Sequence, residues 1–350
     1  MSSRLHHLAA ARFEAARTLP GIGRHGHGFS VQAAAIPPRA EVRFPGGELG
    51  ALEAALAAAV APLDYTDLNR RLDLPDDAAL ATWIAGQLPD RSEVLLQSTP
   101  SHGAICTGRG TLAQWCRFRF EAAHRLPKVP ATHKCGRMHG HGFEIVIRTG
   151  DPVAAAHGRI ATAWAPLAAR LDGACLNELP GLENPTSEML AVYLWQELHA
   201  ALPALERVTV HETRTAGCHY DGRAHRIWID QSFESAVRLK QAPGTHRASR
   251  LHGHSYLLRL ELAVPLDAAL GWTLDYGDVK AAFKPIYRQL DHVDLAAHAG
   301  IADGDAGSVL AWIRGEVAQR LPHTAALVLH ATPGCGARLD WGDDVPLLMP

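Results

Sequence analysis

The chain has 350 residues, with 34 lysines and arginines against 36 aspartates and glutamates, a formal net charge of -2. That length accommodates two or three ordinary domains, and the near-neutral balance argues against a general nucleic-acid or membrane-surface role. No apolar run is long enough to span a bilayer, the start MSSRLHHLAAARFEAAR lacks the long apolar core of a signal peptide, and six scattered cysteines suit a reducing cytoplasm better than a disulfide framework.

Three landmarks recur in one order. His-Gly-His stands at 25–27, 139–141 and 252–254, offsets of 114 and 113 residues. A related stretch precedes each copy: FEAAR from Phe13, FEAAH from Phe120 and FESAV from Phe233. A Leu-Asp pair follows each: Leu63-Asp64, Leu171-Asp172 and Leu290-Asp291. Such a period marks tandem copies of one supersecondary unit, here expected near 1–112, 113–223 and 224–350.

Each unit reads as strand, strand, helix, helix, strand, strand. In the first, Leu8–Arg17 and Phe29–Ile36 are expected strands, and the Pro/Gly-rich 37–47 a loop. Glu48–Ala61 and Asp76–Gln87 read as helices, and Glu93–Gln97 with His102–Cys106 as a closing hairpin. In the second, Cys116–Arg125 is a strand and Gly158–Leu171 a helix. Asn184-Pro185-Thr186 starts another helix, with a polar cap and a proline in its first turn. Leu190, Leu194, Leu198 and Leu202 form its buried stripe, and Arg207–Thr213 alternates as a strand. In the third, Tyr256–Val264 is a strand and Asp275 caps a helix carrying Val279, Phe283, Ile286 and Leu290, with Pro285 inside it. Ser308–Leu321 is a helix and Ala325–His330 a strand. The segment from Trp341 to Pro350 is expected to be an end without chemistry.

Chemistry concentrates in FEAAHRLPKVPATHKCGRMHGHGF, from Phe120 to Phe143. On a strand, His139 and His141 leave the same face. A hairpin partner would bring His124 beside them. Three imidazoles with a fourth position open is the arrangement of catalytic zinc, and Cys135 lies in the loop between the strands. His133, His211 and His219 read as structural or solvated, and Cys175 and Cys218 as packed thiols.

The second unit, through that stretch together with LNELPGLENPTSE and HETRTAGCHY, resembles the 6-carboxytetrahydropterin synthase branch of the 6-pyruvoyltetrahydropterin synthase family. The third resembles it through LHGHSY and LDYGDVKAAFKPIYRQLDH, and the first is a diverged copy. The resemblance implies an α+β fold of three tunnelling-fold (T-fold) units. These would form one pseudo-trimeric, twelve-stranded antiparallel barrel with helices outside, and a homodimer of such barrels.

It implies Zn2+ on His124, His139 and His141, with Cys135 as base. Glu212 would anchor the pterin, and Thr186 and Ser187 would form the pterin-contacting turn. Lys134, Arg125 and Arg137 are candidates for a triphosphate. The first ligand is replaced by Arg17 in the first unit and Val237 in the third, the cysteine by Ala248 in the third, and the anchor by Ser98 and Ala331. The first unit lacks the loop: Arg17 to His25 spans eight residues, His124 to His139 fifteen. The family's Asp-His pair survives only as Asp291-His292, against Asp64-Tyr65 and Asp172-Gly173. The expectation is therefore one composite site per chain, with zinc, Lys134 and His292 lowering the Cys135 pKa. The implied reaction is a zinc-dependent lyase step that converts 7,8-dihydroneopterin triphosphate to 6-carboxytetrahydropterin, acetaldehyde and triphosphate, toward queuosine. The alternatives are 6-pyruvoyltetrahydropterin synthase and a non-catalytic pterin- or metal-binding protein.

Overall fold

The structure is a computed structural model that describes residues 3–150, 156–267, 269–341 and 347–350. The first unit runs β1 (Arg4–Leu19), β2 (Gly23–Ala35), α1 (Glu48–Val60), β3 (Thr66–Asp67), α2 (Asp77–Ala85), β4 (Glu93–Thr99) and β5 (His102–Cys106). The second runs β6 (Leu112–His124), β7 (His139–Thr149), α3 (Ala156–Leu171), β8 (Ala174–Cys175), α4 (Ser187–His199), β9 (Leu205–Thr213) and β10 (Ala216–Tyr220). The third runs β11 (His225–Val237), β12 (His252–Leu262), α5 (Tyr276–Leu290), β13 (Val293–Asp294), α6 (Ala306–Arg320), β14 (Thr324–Thr332) and β15 (Cys335–Asp340).

The four long strands of each unit pair antiparallel, neighbouring units join through β5–β6, β10–β11 and β15–β1, and the twelve strands close into a barrel. Closure leaves no long strand with an open edge. Alternation along each strand sends one set of side chains out under the helices and the other into the lumen. Three separate outer cores result, one per unit. Phe13, Phe29 and Leu56 mark the first, Phe120, Phe143 and Leu194 the second, and Phe233, Phe283 and Leu310 the third.

Several sequence expectations shift by a residue or a turn. The α4 cap is Thr186, whose hydroxyl accepts from Met189 N at 3.1 Å, so Asn184 and Pro185 precede the helix. The short parallel strands β3, β8 and β13 carry no sequence signal at two residues each. Each aligns beside β1, β6 or β11.

The end of the chain is more than a loose terminus. Residues 342–346 lie outside the described residues. Beyond them Leu348 is 3% exposed and packs on Leu8, Leu95, Trp115, Val146 and Val328, on the lumen side of strands from all three units. Its N–H donates to Glu93 Oε1 at 2.7 Å. Met349 and Pro350 continue inward beside Arg148, Arg207 and Arg259. These contacts fill the lumen at the end away from the His-Gly-His hairpins, because Trp115 pairs with Arg148 at the start of β6 while His124 pairs with His139 at its finish.

Candidate metal and pterin site

The β6–β7 register sets His124 opposite His139 and Ala122 opposite His141. His124 shares the parity of Phe120, and His141 that of Phe143, so both leave the outer face. Donor atoms of His124, His139 and His141 all lie within 4.8 Å of one another, a group able to hold a metal ion.

Two of the three rings are oriented for that task. His124 Nδ1 meets the Pro185 carbonyl at 2.9 Å, and His139 Nδ1 meets the Arg137 carbonyl at 2.8 Å. A backbone acceptor at Nδ1 fixes the tautomer that leaves the Nε2 lone pair free, as in metal-bound histidines. The Nε2 atoms of His124 and His141 are buried without a partner, a cost that a bound cation would remove. Burial lowers the His124 pKa to about 4 and lowers that of His141, the neighbouring imidazoles adding to both. Both rings are therefore neutral near pH 7, the form that ligates.

Glu212 projects from β9 toward this cluster. Its Oε1 lies 3.8 Å from His124 Nε2 and 3.6 Å from His141 Nε2. With the imidazoles neutral these approaches are not ion pairs. Burial, then Glu188 and Asp275, push the Glu212 pKa up to about 7, with Lys134 opposing. Cys135 sits in a short turn over the site, held by its N–H to His133 Nδ1 at 3.2 Å. Burial, Glu212 and Asp275 raise its thiol pKa and Lys134 lowers it. In the metal-free chain the thiol thus moves opposite to the expected activation.

The third unit does complete the pocket, through residues other than those expected. His133 Nε2 approaches Asp275 Oδ2 at 3.3 Å and its ring packs on Trp272. Thr273 donates from its N and its hydroxyl to Glu188 Oε1 at 2.7 and 2.9 Å, and Tyr276 Oη lies 2.7 Å from Ser187 Oγ. Thr186 Oγ1 donates to the Gly271 carbonyl at 2.5 Å. The Thr186 and Ser187 hydroxyls are therefore engaged in the seam between units, so the expected pterin contacts of this turn cannot use free hydroxyls.

Asp291 and His292 stand elsewhere within the chain. They follow the last residue of α5, whose first turn touches the Cys135 loop, and fifteen residues of helix span about 22 Å. His292 Nδ1 lies 3.0 Å from Asp291 Oδ2, its side chain is 76% exposed, and its cleft is lined by third-unit residues including His252 and His254. The expected composite pocket with Cys135 is thus not assembled inside one chain. The Asp also has a structural task common to all units. Asp64, Asp172 and Asp291 accept the N–H of Glu14, Glu121 and Glu234 at 2.9, 2.9 and 3.0 Å. The next residue takes positive φ in each case, Tyr65 at 51°, Gly173 at 73° and His292 at 59°.

The other two hairpins keep the register and change the chemistry. Arg17 faces His25, and Val237 faces His252, where His124 faces His139. Arg17 Nη1 donates to the Pro75 carbonyl at 3.1 Å and to Asp77 Oδ1 at 2.7 Å, and its Nε points at His25 Nε2 at 3.4 Å. Its guanidinium occupies the place of a metal. Asp77, His102 and His157 form a second cluster of metal-ligating type nearby. There Asp77 already serves Arg17 and Ser98, and His157 Nε2 lies 2.9 Å from the Gly103 carbonyl, so a second cation does not fit.

A closed barrel of tandem ββααββ units with a histidine triad at its rim defines a tunnelling-fold protein. Residues 114–223 and 226–340 each match the family model for 6-pyruvoyl tetrahydropterin synthase, and the chain belongs to that family. A curated relative, the 6-carboxy-5,6,7,8-tetrahydropterin synthase of Synechocystis, is 36% identical over 121 residues, covering 29% of this chain and 88% of its own. Among solved structures, the Caenorhabditis elegans 6-pyruvoyl tetrahydropterin synthase is 20% identical, with 31% of this chain and 94% of that chain covered and a TM-score of 0.29. The Arthrobacter globiformis uricase is 10% identical, with 61% and 80% covered and a TM-score of 0.31. Scores this low add nothing to the family assignment.

Proposed function

We propose that the middle unit is catalytic and that the chain is a zinc-dependent 6-carboxy-5,6,7,8-tetrahydropterin synthase. It would convert 7,8-dihydroneopterin triphosphate to 6-carboxytetrahydropterin, acetaldehyde and triphosphate, in queuosine biosynthesis. One observation carries the reading. Of the three hairpins only the middle one brings three imidazoles within ligating distance of one another, two of them with buried, unpartnered Nε2 atoms, next to a carboxylate and a thiol. The likeness to the Synechocystis enzyme supports the choice of product.

His124, His139 and His141 would hold the zinc, which supplies Lewis acidity toward the substrate's side-chain hydroxyls. Glu212, once deprotonated, accepts two hydrogen bonds from the planar aminopyrimidine edge. Cys135 takes the side-chain proton, Thr186 and Ser187 fix the pocket wall, and Lys134, Arg125 and Arg137 receive the triphosphate. Asp291 and His292 act as a proton relay delivered from a second chain. Ile22, Tyr65, Met138 and Leu251 are exposed at the same rim, an apolar surface that a stacked homodimer would cover.

The test incubates zinc-loaded protein with dihydroneopterin triphosphate and follows acetaldehyde and triphosphate together. Equal release of both is expected. Triphosphate without acetaldehyde would mean 6-pyruvoyltetrahydropterin synthase chemistry, and neither product would mean a binding protein. Cys135→Ala and His292→Ala chains should each be inactive and regain turnover when mixed. If mixing restores nothing, the relay does not come from a second chain.

A further inference from the structure

The turn that carries Cys135 is closed by backbone bonds within its own unit. Leu126 N donates to the Cys135 carbonyl at 2.8 Å, His133 N to the Pro130 carbonyl at 2.8 Å, and Gly136 N to the His133 carbonyl at 3.1 Å. The third unit contains the same turn without the thiol. There Leu239 N donates to the Ala248 carbonyl at 2.8 Å, His246 N to the Pro243 carbonyl at 2.7 Å, and Ser249 N to the His246 carbonyl at 3.0 Å. Both turns also use a histidine ring in one way. His133 Nδ1 accepts the Cys135 N–H and His246 Nδ1 accepts the Ala248 N–H, each at 3.2 Å. That bond is therefore a device of the turn, present with or without the thiol.

The two turns differ on the far side of the ring. His133 is half-buried, its Nε2 stands 3.3 Å from Asp275 Oδ2, and Trp272 packs against it. His246 is exposed and packs edge-on against Phe44, and Gly47 begins α1 where Asp275 begins α5. The carboxylate thus stands at the turn that has the thiol and is missing from the turn that lacks it. A neutral ring that accepts at Nδ1 carries its proton on Nε2, the atom that faces Asp275. The two oxygens of Asp275 divide the work. Oδ1 accepts the Gly277 and Asp278 N–H groups at 2.7 and 3.1 Å as the α5 cap, which leaves Oδ2 for His133. The segment around it is anchored on both flanks. Asn184 Nδ2 donates to the Leu270 carbonyl at 2.7 Å, Thr273 donates twice to buried Glu188, and Tyr276 Oη meets Ser187 Oγ.

We propose that Asp275 is a positioning residue for the middle unit's thiol: acting through His133 from across the seam, it fixes one imidazole tautomer and with it the placement of the Cys135 turn. The role rests on Cys135 acting in the reaction proposed for the middle unit. It gives the third unit a part in turnover that needs no metal of its own.

The test compares the zinc-loaded wild type with Asp275→Asn, His133→Asn and the double variant. Asparagine caps a helix as well as aspartate does, so the melting temperature of Asp275→Asn should stay as in the wild type. With its oxygen on the cap, its amide N–H group faces His133 and calls for a ring protonated on Nδ1, which cannot accept the Cys135 N–H. His133→Asn keeps an acceptor beside that N–H and loses the atom that faces Asp275. Each single variant should lower kcat by about 10–100-fold, the scale of misplacing a reacting group, with KM within about twofold. The double variant should be no worse than either single one. Nitrogen-15 NMR of the His133 ring, assigned by its loss in His133→Asn, should show the proton on Nε2 in the wild type and on Nδ1 in Asp275→Asn. Unchanged kcat in Asp275→Asn beside an active wild type, effects that multiply in the double variant, or a wild-type proton on Nδ1 each overturns the proposal. If Asp275→Asn does not fold, His133→Asn and the wild-type tautomer decide it. A wild type that releases neither acetaldehyde nor triphosphate is a separate failure, that of the middle-unit assignment; it is read before any variant is compared and removes this role with it.

Discussion

Where the middle unit gathers three imidazoles able to hold a metal ion, the first unit has a self-contained ion pair. Arg17 and Asp77 are 3% and 4% exposed, and each is the other's charge partner. Arg17→Met should destabilise the fold by about 3–5 kcal/mol by leaving a buried carboxylate unpaired, and adding Asp77→Leu should recover most of that. Urea denaturation of the three proteins checks it. Glu212 gives a pH signature. Its carboxyl is raised to about 7 from an ordinary 4.5, so the folded, metal-free chain holds that proton more tightly than the unfolded chain. The contribution to stability is complete below about 4.5 and is lost as pH rises through about 7. Relative to Glu212→Gln, metal-free wild type should lose about 2–3 kcal/mol between pH 5 and 8, and parallel curves would refute the shift.

Among the elements, the closing hairpins share a constraint. Gly103, Gly217 and Gly336 occupy matching places in β5, β10 and β15, and a Cβ on any of them would run into the carbonyl of Leu96, Val210 or Leu329. At Gly217 the Trp228 ring stands there too. A strand glycine ordinarily gains stability on change to alanine. Here the sign should reverse, with Gly217→Ala costing about 1–3 kcal/mol in chemical denaturation. Much of this scale was legible in the sequence. The triad hairpin, the Leu stripe of α4 and the Asp275 cap follow from local period and spacing. The partners of the Cys135 loop were not, because Trp272 and Asp275 lie over a hundred residues away and sit in an irregular segment with no period to read. Asp291-His292 misled for a related reason: motif identity names a residue pair without saying which copy it faces.

For the whole molecule, the closed barrel agrees with three repeats, two of which match the family model, while the lumen escaped any reading of the sequence. Its interior is held by pairs such as Arg338 with Glu261, at 2.7 and 2.9 Å, and both are 1% exposed. Nothing in a periodic pattern announces that Leu348 will close one mouth of it. That closure bears on traffic. A ring of twelve strands invites the picture of a duct through which a product made at one rim drains from the other. With Leu348 wedged among Leu8, Trp115 and Val328 that end of the duct is stoppered, so the bore offers a small molecule no way through, and exchange with solvent falls to the outer surface.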